Sequence, residues 1–200
     1  VLDSTEFQVT AAIFLNDINA SFYYHCFSGV LNQETPFTKI CLLDARTDIN
    51  EHPVMADFFK RARSVTNFNP HYFRCSRNNT PMGYYGIGFQ YVRERFTPQT
   101  CLYLFLDSSL FLRPTFLTEV KQKFEQNRYT ACYRWNCLPH NGDKYLNVNS
   151  FLMASQVFHE LCRFHDTQES NIHNLLQIIS KDIEPPWVES QMLESVAEIL

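Results

Sequence analysis

The run TKICLL (residues 38–43), followed by Asp44-Ala45-Arg46-Thr47-Asp48, decides the fold of this 200-residue chain. A strand with one wet face alternates apolar and polar residues, whereas a strand covered on both faces reads as continuous apolar sequence. This run is of the second kind, and it stops at a carboxylate. The same pattern recurs on either side. Residues 9–15 (VTAAIFL) form an apolar run ending at Asn16, residues 71–75 (HYFRC) read as a short third strand, and residues 100–106 (TCLYLFL) form the most apolar run, ending at Asp107. Helical spacing fills the gaps. Residues 19–31 have apolar residues at helical spacing, with Asn19 a candidate N-cap; Pro53 opens a helix to about Val65; residues 83–95 read as a loop feeding a helix; and Pro114 opens another to about Asn127.

Strand and helix patterns alternating four times predict an α/β domain with a central, mostly parallel sheet and helices on both faces. Ligands of such sheets sit outside the carboxyl ends of the strands. Asn16, Asp44, Arg77 and Asp107 fall just past those ends. Two readings fit that placement: a site for a polar ligand, or polar residues that merely begin loops. After residue 126 the pattern changes. Residues 129–135 are strand-like, 140–144 read as a turn, 145–154 as a second strand, 155–164 as a helix, and 171–180 as an amphipathic segment closed by Pro185-Pro186. With no repeats, low-complexity tracts or flexible linkers, residues 1–200 read as a single domain. The chain opens at Val1 rather than Met, as a processed chain or a domain cut from a longer one would.

Composition narrows the partners. Apolar residues make up 45% and charged residues 19%, an ordinary globular balance, and the net charge of −4 gives no basic footprint for nucleic acid. No apolar stretch is long enough to span a membrane. Seven cysteines are scattered without a Cys-x-x-Cys pair, and several lie inside apolar runs, so buried reduced thiols and a cytoplasmic location are expected. His159, Cys162 and His165 lack the second ligand pair that a structural zinc site needs. Two sequons occur, at Asn19 and Asn78, and matter only in a secreted chain. Gly-x-Gly-x-x-Gly, phosphate-loop and Gly-x-Ser-x-Gly signatures are all missing.

Taken in order, the motifs resemble family 2 glycosyltransferases. Those begin with a strand ending in Asn, continue with a helix ending roughly Ser-x-Leu-x-Gln, and follow with a strand ending Asp-Gly-Ser-Thr-Asp. Here stand Ile13-Phe14-Leu15-Asn16, then Ser28-Gly29-Val30-Leu31-Asn32-Gln33, then Leu43-Asp44-Ala45-Arg46-Thr47-Asp48. Leu106-Asp107-Ser108-Ser109 with Pro114 is similar to the family's Asp-x-Asp strand and Pro-led helix, and residues 149–164 to its acceptor-side segment. The likeness runs over roughly residues 7–180.

The resemblance implies a GT-A type domain, with a donor-binding half over residues 1–127 and an acceptor-side half over 128–200. It implies an inverting hexosyltransferase that moves sugar from a nucleoside diphosphate sugar, such as a UDP-sugar, to a glycan or other hydroxyl acceptor. In that reading Asp44 accepts a hydrogen bond from the base edge, Asp48 orients Asp44 or the ribose, and Asn16, Arg46, Arg77, Gly83, Asp107 and Ser108 line the donor site. Asp107 and Ser109 would hold a divalent cation, Mn²⁺ or Mg²⁺, against the diphosphate. Asp166 and Glu169 are the candidates for the general base that takes the acceptor's proton. Several positions depart from the family. Ser109 replaces the second Asp, Leu15 stands where a base-stacking aromatic is expected, Phe89 replaces a common Asn, and Arg46 replaces a small Ser with a cation suited to a phosphate or to Asp48. These departures open a second reading: a module that keeps the fold for binding or architecture without catalysis.

Overall fold

A computed structural model of the chain describes residues 7–17, 19–48, 50, 52–66, 69–75, 83–96, 102–127, 132–138, 145–146, 150–164 and 190–199. Its elements are β1 (Val9–Leu15), a 3-10 turn (Ala20–Phe22), α1 (Tyr23–Leu31), β2 (Lys39–Asp44), α2 (Pro53–Thr66), β3 (His71–Arg74), α3 (Gly83–Arg95), β4 (Leu102–Asp107), β5 (Leu110–Leu112), α4 (Phe116–Gln126), β6 (Cys132–Leu138), β7 (Tyr145–Leu146), β8 (Phe151–Ala154), α5 (Ser155–Phe164) and β9 (Ser190–Ile199). The strands share one sheet in the order β3-β2-β1-β4-β8-β6-β9-β5, with β7 on β6. The block β3-β2-β1-β4 is parallel throughout, as the continuous apolar runs required. The second half adds antiparallel pairs, β8 on β4 and on β6, and β9 closes on β6 in parallel and on β5 in antiparallel fashion.

Period-two alternation divides the buried strand residues between two cores. Ala11, Ile13, Leu15, Ile40, Leu42, Leu102, Leu104 and Leu106 pack against α1, α2 and α4, through residues such as Phe27, Phe58 and Phe116. Ala12, Phe14, Cys41, Leu43, Tyr103 and Phe105 pack against α3 and α5, through Phe89, Val92 and Phe158. Helices therefore cover both faces of the parallel block, which is why β1, β2 and β4 carry no polar stripe. On α1 the buried Tyr23, Cys26, Phe27, Val30 and Leu31 recur at helical spacing and form one apolar face.

Two glycines allow the layers to close. A Cβ on Gly29 of α1 would lie 2.8 Å from both the backbone N and O of Leu112, so the helix rests directly on the β5 main chain. A Cβ on Gly88 of α3 would come within 2.5 Å of the Phe14 ring. That close approach seats the neighbouring Phe89 against Phe14, Phe105 and Phe158, with ring centroids 4.9–6.0 Å away. Phe89 is thus a core residue, which accounts for an apolar residue at a position where a polar one was expected.

Gln33 explains the end of the Ser-x-Leu-x-Gln segment. Its Nε2 donates to the carbonyls of Gly29 and Arg113, both at 2.8 Å, and its Oε1 accepts from Leu117 N–H at 3.0 Å. One carboxamide thereby satisfies the C-terminal end of α1 and the N-terminal end of α4, whose preceding Thr115 makes no side-chain cap. The α4 helix starts at Phe116, two residues after the Pro that was expected to open it. Asn19, the expected N-cap, makes no side-chain cap either; its side chain serves the rim described next.

Candidate functional site

The parallel register brings the strand ends together. Leu15 pairs with Asp44, Phe14 with Asp107, and Asp44 with Arg74. Asp44 and Asp107 therefore flank the end of β1, two strand spacings or about 10 Å apart across the sheet. Backbone bonds carry the chain out of the sheet at the same level: Ala45 N–H to Leu15 O at 2.9 Å, Ser108 N–H to Phe14 O at 3.3 Å, and Cys75 N–H to Asp44 O at 2.7 Å. Asn16, Asp44, Arg74 and Asp107 share this rim.

The two rim carboxylates have opposite surroundings. Asp44 is fully buried, and its oxygens are occupied. Oδ1 accepts from Arg46 N–H at 3.0 Å and Arg46 Nε at 2.9 Å. Oδ2 accepts from Arg46 Nη2 at 2.8 Å, Arg74 Nη1 at 3.1 Å and Tyr72 Oη at 2.5 Å. Five donors meet a carboxylate with about four lone-pair sites. Burial pushes the Asp44 carboxyl up, but the bonds from Arg46 and Tyr72 outweigh it and hold its pKa below the ordinary value. Arg46 is raised by the same bonds to Asp44 and stays charged. The sequence reading has Asp44 offering a free carboxylate to a base edge; in the structure that requires Arg46 to leave.

Asp107 is buried as well, and its Oδ1 accepts from two neutral donors, Asn19 Nδ2 at 2.7 Å and Ser109 N–H at 2.9 Å. Its own N–H donates to Ser150 Oγ at 2.8 Å, so β4 and the approach to β8 fix its position. Asn19 is held in turn by Asn16, whose Oδ1 accepts Asn19 N–H at 2.9 Å. With its side chain buried and bonded to Asp107, Asn19 is closed to glycosylation in this fold. Ser108 Oγ is buried and has no hydrogen-bond partner among the described residues.

Other expected residues fall elsewhere. Asp48 is exposed, and its Oδ1 accepts Asn50 N–H at 2.9 Å; Arg46 and Tyr72 orient Asp44 in its place. Arg46 pairs with Asp44 and not with Asp48. Gly83 opens α3. Arg77, Asp166, Glu169, His165 and Asn78 lie outside the described residues. Sequence reasoning passed over Tyr72, Arg74, Ser150 and Asp17. Arg74 is the described rim arginine of β3, and its Nη2 also donates to Arg46 O and Asp48 O. Asp17 pins the loop after β2 by accepting Thr47 N–H at 2.9 Å and Thr47 Oγ1 at 2.7 Å. Period-two reading of HYFR places Tyr72 and Arg74 on one face, the signal that was available for both.

Among the described residues, the donor set at Asp107 is not a cation cage. Among the described residues no three His, Cys, Asp or Glu side chains converge on one point. Asp107 Oδ1 accepts from the Asn19 amide and Ser109 N–H, and Mg²⁺ or Mn²⁺ needs several hard oxygens. Cys26, Cys41 and Cys75 are free and buried, and burial raises all three thiols, Cys75 to about 12. No helix among the described residues is long and apolar enough to cross a membrane.

No family model matches the chain, and no curated protein matches it. Solved structures do. The S. aureus TarS 1–349 structure in complex with UDP-GlcNAc superposes with a TM-score of 0.62 at 11% identity, covering 96% of this chain and 58% of that one; of a longer TarS structure the chain covers 36%. The galactosyltransferase LgtC with donor and acceptor sugar analogues gives 0.50 at 12% identity, over 88% of this chain and 66% of that one. The 4-diphosphocytidyl-2C-methyl-D-erythritol synthase of Anaerococcus prevotii DSM 20548 gives 0.53 at 10% identity, over 94% and 89%. At these identities the likeness concerns the fold, and with the sheet order and two-sided helix cover it establishes an α/β domain of the GT-A type.

Proposed function

We propose that this chain is the nucleotide-sugar-binding part of a glycosyltransferase, a hexosyltransferase that inverts the anomeric centre. The observation that supports it most is the rim. A fully parallel four-strand block delivers Asn16, Asp107 and the Asp44–Arg46–Arg74 cluster to one edge, where a doubly wound sheet takes its ligand. Neighbours of the same fold carry UDP-GlcNAc or sugar analogues, which favours a nucleoside diphosphate sugar as donor. In the transfer, an acceptor hydroxyl oxygen bonds to the anomeric carbon as the bond to the diphosphate breaks. The hydroxyl proton passes to a carboxylate base, for which Glu169 and Asp166 are the candidates. The diphosphate leaves with its charge balanced by any divalent cation it brings with it and by a cationic side chain, for which Arg77 is the candidate. The free thiols of Cys26, Cys41 and Cys75 favour a reducing compartment, the cytoplasm.

The test is release of nucleoside diphosphate from a panel of nucleotide sugars, with and without hydroxyl acceptors, followed by proton NMR of the product anomer. Protein-dependent release with an inverted anomer is expected. A second reading has its own observation: Asp44 is sealed and Ser109 replaces a carboxylate, as in a binding module that has lost turnover. Nucleotide binding without release under any condition favours that module.

A further inference from the structure

Asp44 ends β2 at the rim, yet nothing in the site can use it as it stands. A carboxylate accepts and never donates, so its value in reading a base is to take an imino N–H. Here five donors from Arg46, Tyr72 and Arg74 already fill it. Freeing one lone pair means pulling the Arg46 guanidinium, 6% exposed, away from its counter-charge, and an unpaired buried cation is strongly disfavoured. The group that stands in the way has the opposite character. A guanidinium has five N–H donors and no acceptor. Among the described residues Arg46 uses three: Nε and one on Nη2 toward Asp44, and one on Nη1 toward Asn50 O. Arg74, 33% exposed, adds a second guanidinium beside it.

We propose that Arg46 sets the nucleobase preference of this rim: by sealing Asp44 and standing in its place, it selects a base with an acceptor edge, cytosine, over uracil. The fork of a guanidinium matches two adjacent acceptors. Cytosine presents them as O2 and N3. Uracil places an N–H between its two carbonyl oxygens, so the fork reaches one oxygen and meets a donor beside it. The inference rests on the nucleotide-sugar reading above and narrows its donor class to cytidine nucleotides.

The experiment is calorimetric titration of CDP and UDP into wild type, Arg46→Ser and Arg46→Lys. Wild type is expected to bind CDP about tenfold more tightly than UDP, the worth of one hydrogen bond to a charged group. Arg46→Ser exposes Asp44 and reverses the order. Arg46→Lys keeps the charge but loses the fork, and brings the two affinities together. Wild type binding UDP as tightly as CDP, or more tightly, overturns the proposal and leaves the nucleotide-sugar reading standing. An unchanged preference in both variants also overturns it. Folded wild type that binds neither nucleotide overturns the proposal, and if GDP also fails to bind it overturns the nucleotide-sugar reading as well. If Arg46→Ser does not fold, the wild-type comparison and Arg46→Lys still decide.

Discussion

Replacing Asp44 by Ala is expected to destabilise the domain, not merely to empty a site. The carboxylate is fully buried and receives three guanidinium N–H bonds, one backbone N–H and one phenol. Its removal leaves Arg46 charged, 6% exposed and without its partner. Breaking a buried ion pair from one side costs about 3–5 kcal/mol. Two features place this case at the lower end. Arg46 is two residues from Asp44, so part of the pair survives in the unfolded chain. Arg74 is one-third exposed, and water replaces much of its share. A loss of about 3 kcal/mol lowers the melting temperature by roughly 6–12 °C in a domain of this size. Urea unfolding followed by circular dichroism measures it. The pH dependence follows from the depressed Asp44 pKa, for which the unfolded chain binds more protons than the folded one. The stabilisation is therefore complete above about pH 4 and is lost as pH falls through the lower folded value. The gap between wild type and variant should be constant from neutral pH to about pH 4 and shrink below it. A variant within about 0.5 kcal/mol of wild type at pH 7, the range of ordinary surface changes, would refute the sealed cluster.

Gly29→Ala places a methyl group 2.8 Å from main-chain atoms on β5 that cannot swing aside, and a loss of about 1–3 kcal/mol in urea unfolding is expected; unchanged stability would mean that α1 stands farther from the sheet. His71 and His159 are both held below the ordinary histidine pKa by burial and neighbouring cations, so both favour the neutral form in the fold. Stability should accordingly fall as pH drops through about 6.5 toward the lower folded values, and a His71→Gln/His159→Gln double variant should flatten that slope between pH 7 and 5. Free wild-type protein is expected to bind Mn²⁺ negligibly and to take it up only with nucleotide present, with Ser109→Asp strengthening the ternary complex; tight Mn²⁺ binding to the free protein would place the cation ligands elsewhere.

The parallel block was readable because strands covered on both faces leave long apolar runs, and β1, β2 and β4 have them. What escaped was set by distant contacts. β9 has Met192, Leu193, Val196 and Ala197 at a spacing as suited to a helix as to a strand, and its pairing with β6 and β5 is what makes it extended. β5 is three residues long and lies between the strand and the helix that the sequence reading assigned. Within the site, Asp44, Asn16 and Asp107 were placed by the end of each run, but their partners were not. Arg74 reaches Asp44 from 30 residues away through a strand register that the sequence does not declare, and Arg77, three residues on, looked as suitable. Asn19 has the composition of a helix cap and a position to match, yet its amide is drawn to Asp107, 88 residues away, because a buried carboxylate needs donors more than a solvated helix end does.

The central claim is that the rim beside Asp107 binds a nucleoside diphosphate. Calorimetric titration of CDP, UDP and GDP into wild type and Asp107→Asn, each with Mn²⁺, tests it most directly. Asn keeps the size and the acceptor for Asn19 while removing the charge. The account expects at least one nucleotide to bind wild type and its affinity to fall by about tenfold or more in folded Asp107→Asn. No binding by wild type, or the same affinity in the variant, would contradict it.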